Sequence, residues 1–173
     1  MGWKCVVTNG GNDALGKLAG GQHTLTITKA TTGSGYVADI NMRGATALQS
    51  EKMNAGIVQR SDVSNGVEIR LRTGPAAANV GAFIAHEVGI WGKIDDGEEI
   101  LMVLAQDAEA GISVPTVTEN PEFVFDLFVT IACSNTDNLT VIITSGAYAT
   151  ISDTEIHQDV VELYEDLGFI TAT

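Results

Sequence analysis

Three histidines, two cysteines and one run of acidic residues are the side chains best suited to chemistry in this chain. His23, His86 and His157 are scattered, and none meets a second ligand at the H-x-x-x-H or C-x-x-C spacing of a zinc site. His86-Glu87 begins like a zinc-binding helix, but Val88-Gly89-Ile90 supplies no second histidine. Asp95, Asp96, Glu98 and Glu99 crowd around a turn and could offer oxygens to calcium, yet the ligand order of an EF-hand is missing. Gly11-Asn12-Asp13-Ala14-Leu15-Gly16-Lys17 has the glycine spacing of a phosphate-binding loop. Leu18 then stands where a Ser or Thr hydroxyl would hold magnesium, and Asp13 would repel a phosphate. The segment therefore reads as a helix start. No serine occupies a Gly-x-Ser-x-Gly elbow, and Ser34, between Gly33 and Gly35, reads as a turn. The expectation is a protein with no catalytic, cofactor-binding or metal-binding residue.

The surrounding pattern is that of a scaffold. With 173 residues and 45% apolar side chains, the chain has the material for one domain with a sizeable core. Its 22 acidic and 9 basic residues leave a formal charge of −13, which disfavours nucleic acid and anionic membrane as partners. No apolar run approaches the roughly 20 residues of a membrane span. The N-terminus lacks the pattern of a secretory signal, so the chain reads as a cytosolic product. In that setting Cys5 and Cys133 read as buried thiols rather than a disulfide.

The element expected to organise the rest is a hairpin over residues 84–106. Val88, Ile90 and Ile94 share one face of its first strand and Trp91 takes the other. The turn is Asp95-Asp96-Gly97, with Gly97 supplying a positive φ. The return strand, Ile100 to Leu104, is a continuous apolar run, which predicts burial on both faces. Gly89 and Gly92 flank the tryptophan where other atoms must come close. Earlier in the chain, Asn9 to Leu18 reads as a short helix, and residues 23–29 as a half-buried strand with Leu25 and Ile27 inward. Thr31 to Gly35 reads as a loop, and a short helix is expected near Ala45 to Glu51. Two strands meet at Ser64-Asn65-Gly66, with Val67, Ile69 and Leu71 facing in. Phe123, Phe125, Leu127, Val129 and Ile131 share one face of a later strand, and residues 139–144 form the last. The fold class expected is mainly β (α+β): an antiparallel, sandwich-like sheet of six or seven strands over residues 1–150, with a short N-terminal helix.

Residues 151–173 read as a second element, a C-terminal helix. Ser152-Asp153-Thr154-Glu155 is a capping box, Ile151 and Ile156 stand at staple positions, and Gly168 stops the helix. Ile156, Val160, Leu163 and Leu167 recur at spacings of four, three and four, the seam of a coiled coil. Two readings stay open: packing on its own domain, or oligomerisation at the start of a fibre shaft.

Several stretches together resemble the opening of tail-collar fibre proteins of contractile-tailed phages and prophages. They are Trp3 through Asn9, Asn12 to Leu18, Gly21 to Ala30, Val88-Gly89-Ile90-Trp91, Asp95-Asp96-Gly97 and Leu104 to Asp107. Gly111 to Pro115, Pro121 to Phe125, Thr130-Ile131 and Ser134-Asn135-Thr136 extend the likeness, so it spans about residues 3 to 145. The resemblance implies an N-terminal attachment domain that docks a fibre to baseplate proteins of the virion tail, after assembly in the host bacterial cytoplasm. It also implies a homotrimer and a distal fibre protein as a further partner. The chain departs from that family in stopping at Thr173 without a long shaft. A second expectation is a module that binds receptor glycan on a host surface. A third, an acidic metal-dependent hydrolase, has no motif behind it.

Overall fold

The computed structural model describes residues 2–20, 23–64, 66–132 and 140–143. Its strands are β1 (Lys4–Val7), β2 (Thr24–Gly33), β3 (Glu51–Val63), β4 (Gly66–Thr73), β5 (Phe83–Ala85), β6 (Glu87–Ile94), β7 (Ile100–Gln106), β8 (Ile112–Val114), β9 (Phe125–Ala132) and β10 (Thr140–Ile143). One helix, α1 (Asn9–Leu18), follows β1, and a 3₁₀ turn covers Asp39–Gly44. Seven strands pair antiparallel in the order β1-β7-β6-β2-β3-β4-β9. β10 joins Thr24–Ile27 of β2 in parallel, and β5 and β8 form a separate two-stranded ladder.

The main sheet curls until it is nearly a barrel. Its two edge strands are β1 and β9, yet the ring of Trp3 stacks on that of Phe125 with centroids 5.8 Å apart. The concave side holds the main core. Leu25, Ile27, Ile57, Ile69 and Ile90 are essentially sealed from water there, and Ala14 and Leu18 of α1 reach the same cluster. Each such aliphatic side chain contributes about 1.5–3 kcal/mol of burial. The mainly β, antiparallel expectation is met. The inward positions of β2, β4 and β9 are those their period-2 patterns predict: Leu25 and Ile27, then Val67, Ile69 and Leu71, then Val129 and Ile131.

β7 is buried on both sides, as its unbroken apolar run requires. The pairing with β6 shifts register between Ile90 and Trp91, so Met102 stands as an extra residue. That bulge resets the alternation. Met102 and Val103 face the main core, while Leu101 and Leu104 face a second cluster with Met42, Leu48 and Trp91. This second cluster lies under the segment 34–50, which crosses the outer face of the sheet. Gly89 is required at that crossing, because a Cβ on it would sit 2.5 Å from Leu48 Cδ1.

Five expectations are corrected. The strand beginning near His23 does not end before Thr31; β2 continues to Gly33, with Thr31 and Thr32 wholly buried. The helix expected near 45–51 is absent: the helical turn lies earlier, at Asp39–Gly44, and β3 starts at Glu51. The positive φ of the β6–β7 turn falls on Asp95 (49°) instead of Gly97. The antiparallel sheet has the seven strands expected, but it curls nearly into a barrel instead of a sandwich, with β10 and the β5–β8 ladder added to it. Cys5 is exposed on β1. Cys133, His157, the C-terminal helix and its seam residues Ile156, Val160, Leu163 and Leu167 lie outside the described residues.

Helix α1 is set by a cap tied to the sheet. Thr8 Oγ1 accepts from the Gly11 amide at 2.9 Å, and the hydroxyl donates to the Leu101 carbonyl oxygen of β7. Gly11 lies so close to β7 that a Cβ there would meet the Met102 carbonyl oxygen at 2.2 Å. Thr8→Ala removes both hydrogen bonds at a buried position and should lower unfolding free energy by about 1–2 kcal/mol. Thr8→Ser should keep most of that stability, as read from denaturant midpoints.

Candidate functional site

The strongest polar constellation is centred on Glu87, the first residue of β6, which is buried to 1% exposure. Its carboxylate accepts from the backbone amides of Ser50 (2.7 Å), Gln49 (2.9 Å) and Gly35 (3.1 Å). Gly33 and Gly35 make room for it, since a Cβ on either would fall within 3.0 Å of Glu87 Oε1. Buried Gln106 acts beside it on the same segment: its Nε2 donates to the Val37 carbonyl oxygen at 2.7 Å, and its Oε1 accepts from the Val37 amide at 3.2 Å. Lys4 of β1 adds an ion pair with Asp39. Sheet side chains thus hold both ends of the 34–50 segment, and Leu48 and Met42 hold its middle.

The residues whose types suggested chemistry are not gathered together. His86 Nδ1 donates to the Asp107 carbonyl oxygen at 2.7 Å, and Tyr36 packs edge-on against its ring. The Asp107 carboxylate accepts from the amides of Glu109 and Ala110, and the Ala110 amide above all holds it below the usual carboxylate range. His23 Nδ1 lies 2.7 Å from Asp95 Oδ2 on the opposite end of the sheet. The Thr24 amide, donating to Asp95 Oδ1, is the main cause of a lowered Asp95 pKa. Glu99 leaves the expected acidic cluster altogether, turning to Thr28 and Lys29. Among the described residues, no three His, Cys, Asp or Glu side chains come together as a metal set. The Gly11–Lys17 segment is the body of α1, so its spacing is used for helix packing.

On the outer face of β4 and β9, Asp126 receives two guanidinium groups. Arg70 Nε and Arg72 Nε donate to it at 3.0 and 2.9 Å. Phe128, 58% exposed, lies beside Arg70, whose Cζ is 5.5 Å from the ring centroid. The Arg72 guanidinium, with that of Arg70, holds Asp126 below its ordinary value against the opposing effect of burial. Lowered carboxyl groups stay ionised and accept hydrogen bonds, the wrong state for a general acid near neutral pH.

The sequence marks Glu87 only as the neighbour of His86 in an incomplete zinc pattern, and it does not mark Gln106 as an anchor. The available signal is a charged and an amide residue at the outer ends of two largely apolar strands, opposite a Gly-x-Gly pair. Comparison with protein-family models, curated proteins and solved structures finds no match to this chain.

Glu87→Gln would turn an NH2 group toward backbone N–H donors and should cost about 3 kcal/mol. Hydrogen exchange should accelerate first at the amides of Gly35, Gln49 and Ser50. Asp126 makes a pH-dependent contribution of known sign. Its folded pKa is lowered, so the stability it adds is complete above the ordinary carboxylate range near about pH 4 and is lost as pH falls through the folded value. The stability difference between the wild-type chain and Asp126→Asn should therefore shrink in acid. A difference independent of pH would contradict the ion-pair account.

Proposed function

We propose that this chain is a non-catalytic structural virion protein that attaches a tail fibre to the baseplate of a contractile-tailed phage or a phage-like particle. One observation carries this reading. The motifs behind the resemblance fall on residues that build the scaffold. Val88 and Ile90 lie in the main core, Gly89 in the close crossing, Gln106 in the anchor of segment 34–50 and Val114 in a third apolar cluster with Ala76 and Ala85. Polar groups of the types that serve chemistry (Glu87, Asp95, Asp107, Asp126 and His86) are committed to internal backbone or cationic partners. What remains on the outside is a rigid shape with an acidic surface, suited to fitting a less acidic protein.

Self-association and a distal fibre protein belong to the same proposal, with a homotrimer as the expected assembly. A glycan-binding reading has one observation in its favour, the exposed Phe128 ring beside Arg70, since aromatic faces next to fixed donors suit sugar rings. Binding on a glycan array that Phe128→Ser abolishes would favour it over attachment.

Gold labelling of a tagged chain, viewed by electron microscopy on particles from the bacterium carrying the gene, should mark the baseplate end of the fibres. Label at the fibre tips, or none on purified particles, would refute the attachment role. Light scattering should give a trimer for residues 1–173 and a smaller species for residues 1–150. Identical monomers would remove residues 151–173 as the oligomeriser.

A further inference from the structure

The strand count of the main sheet fixes how its two edges face each other. Seven strands joined by six antiparallel pairings return β9 to the direction of β1. The two edges therefore run parallel, and a direct ladder between them would be the weaker, slanted kind. Among the described residues, no hydrogen bond joins β1 to β9, and the opening is bridged at one end by Trp3 on Phe125.

The inward side chains along this opening are only half covered. Trp3, Cys5 and Val7 alternate onto the concave side of β1, and Val7 belongs to the main core while Val6 belongs to the outer cluster. On β9 the concave side carries Phe125 and Leu127. Their counterparts on central strands, such as Ile27 and Ile69, are wholly buried. Trp3, Val7, Phe125 and Leu127 are partly exposed and Cys5 is exposed. Among the described residues, the core is thus only partly covered along an apolar slot between the two strand edges. Among the described residues no strand or loop pairs with the outer edge of β9, and Asp126 is its one charged residue. Its eight residues pair with β4 without a register shift and include no proline or lysine.

We infer that the slot between β1 and β9 is a strand-acceptor site for a partner protein. An extended partner segment entering there runs antiparallel to both edges, satisfies both rows of backbone groups and closes the barrel with an even number of strands. Its alternate apolar side chains enter the slot over Val7 and Leu127. The residues between them are basic, because the chain carries 22 acidic residues against 9 basic ones, and a second copy would bring the same −13 charge. This deepens the attachment proposal by naming the surface, and its test involves no particle, so the two can fail separately.

The test uses the full ¹⁵N-labelled chain and an eight-residue peptide of alternating Lys and Val, followed by amide shifts and hydrogen exchange. Perturbations should be confined to Lys4–Val7 and 125–132, with exchange there slowed by about tenfold or more. A peptide N-methylated at alternate residues, or one of scrambled order, should bind about tenfold more weakly. Three results would overturn the proposal. One is equal binding of the scrambled peptide spread over the acidic surface. Another is protection of the β1 and β9 edges in the free chain equal to that of β2. The last is a dimer of the free chain that Leu127→Arg dissolves, which would give the slot to a second copy.

Discussion

A carboxylate with no counter-cation among the described residues sits inside this protein, and much of the outer architecture follows from keeping it there. Burying Glu87 unpaired would be prohibitive, so its charge is met by three backbone amides converging from one segment. Those amides can converge only if the 34–50 segment folds back across β6 and β7, and only if residues 33 and 35 carry no side chain. Once the segment lies there, it covers Leu101 and Leu104, and Trp91 can place its Nε1–H on Thr31 Oγ1 at 2.9 Å. The second apolar cluster is thus a consequence of an electrostatic requirement as much as of hydrophobic burial.

Two-sided burial of β7 links this outer layer to the interior. The extra residue at Met102 lets neighbouring positions serve different faces, so one strand ties the main core, the 34–50 segment, β1 and the cap of α1 together. The opposite margin of the sheet is built differently. On β4 and β9 the outer face carries charge, with Asp126 between two arginines, and nothing described packs over it. Among the described residues the sheet is therefore asymmetric: a double-layered half around β7 and a single-layered half around β9, meeting at an unpaired margin.

Much of this could be read from the sequence where the information is local. Period-2 alternation marked the inward faces of β2, β4 and β9, the unbroken run 100–104 marked two-sided burial, and the spacing within residues 9–18 marked α1. The failures share one cause, a partner remote in sequence. Thr31 and Thr32 look like loop residues until β6 lies beside them. The shape of residues 38–50 is dictated by Glu87 and Gln106, whose bonds span 37 and 69 residues. Asp95 accepts a positive φ in place of Gly97 while its side chain holds the start of β2. Three-residue strands such as β5 and β8 are too short for any period to show. The shared direction of the two margins is topological, a product of strand parity that no single segment encodes. Residues 151–173, the clearest helix pattern in the sequence, lie outside the described residues.

The hydroxyl of Thr8 finds its carbonyl partner 93 residues further along the chain, and β1 lies in register with Val103–Gln106. During synthesis on the ribosome, β1 therefore has no strand to pair with until Val103–Gln106 have been added. Helix α1, at ten residues, is shorter than the roughly 12–15 an isolated helix needs to persist in water. Trp3, Val6 and Val7 must wait in the nascent chain as exposed apolar groups, open to misassociation or to chaperone capture. β1 is made before β2, β3, β4 and β6, yet it joins the sheet only once β7 exists.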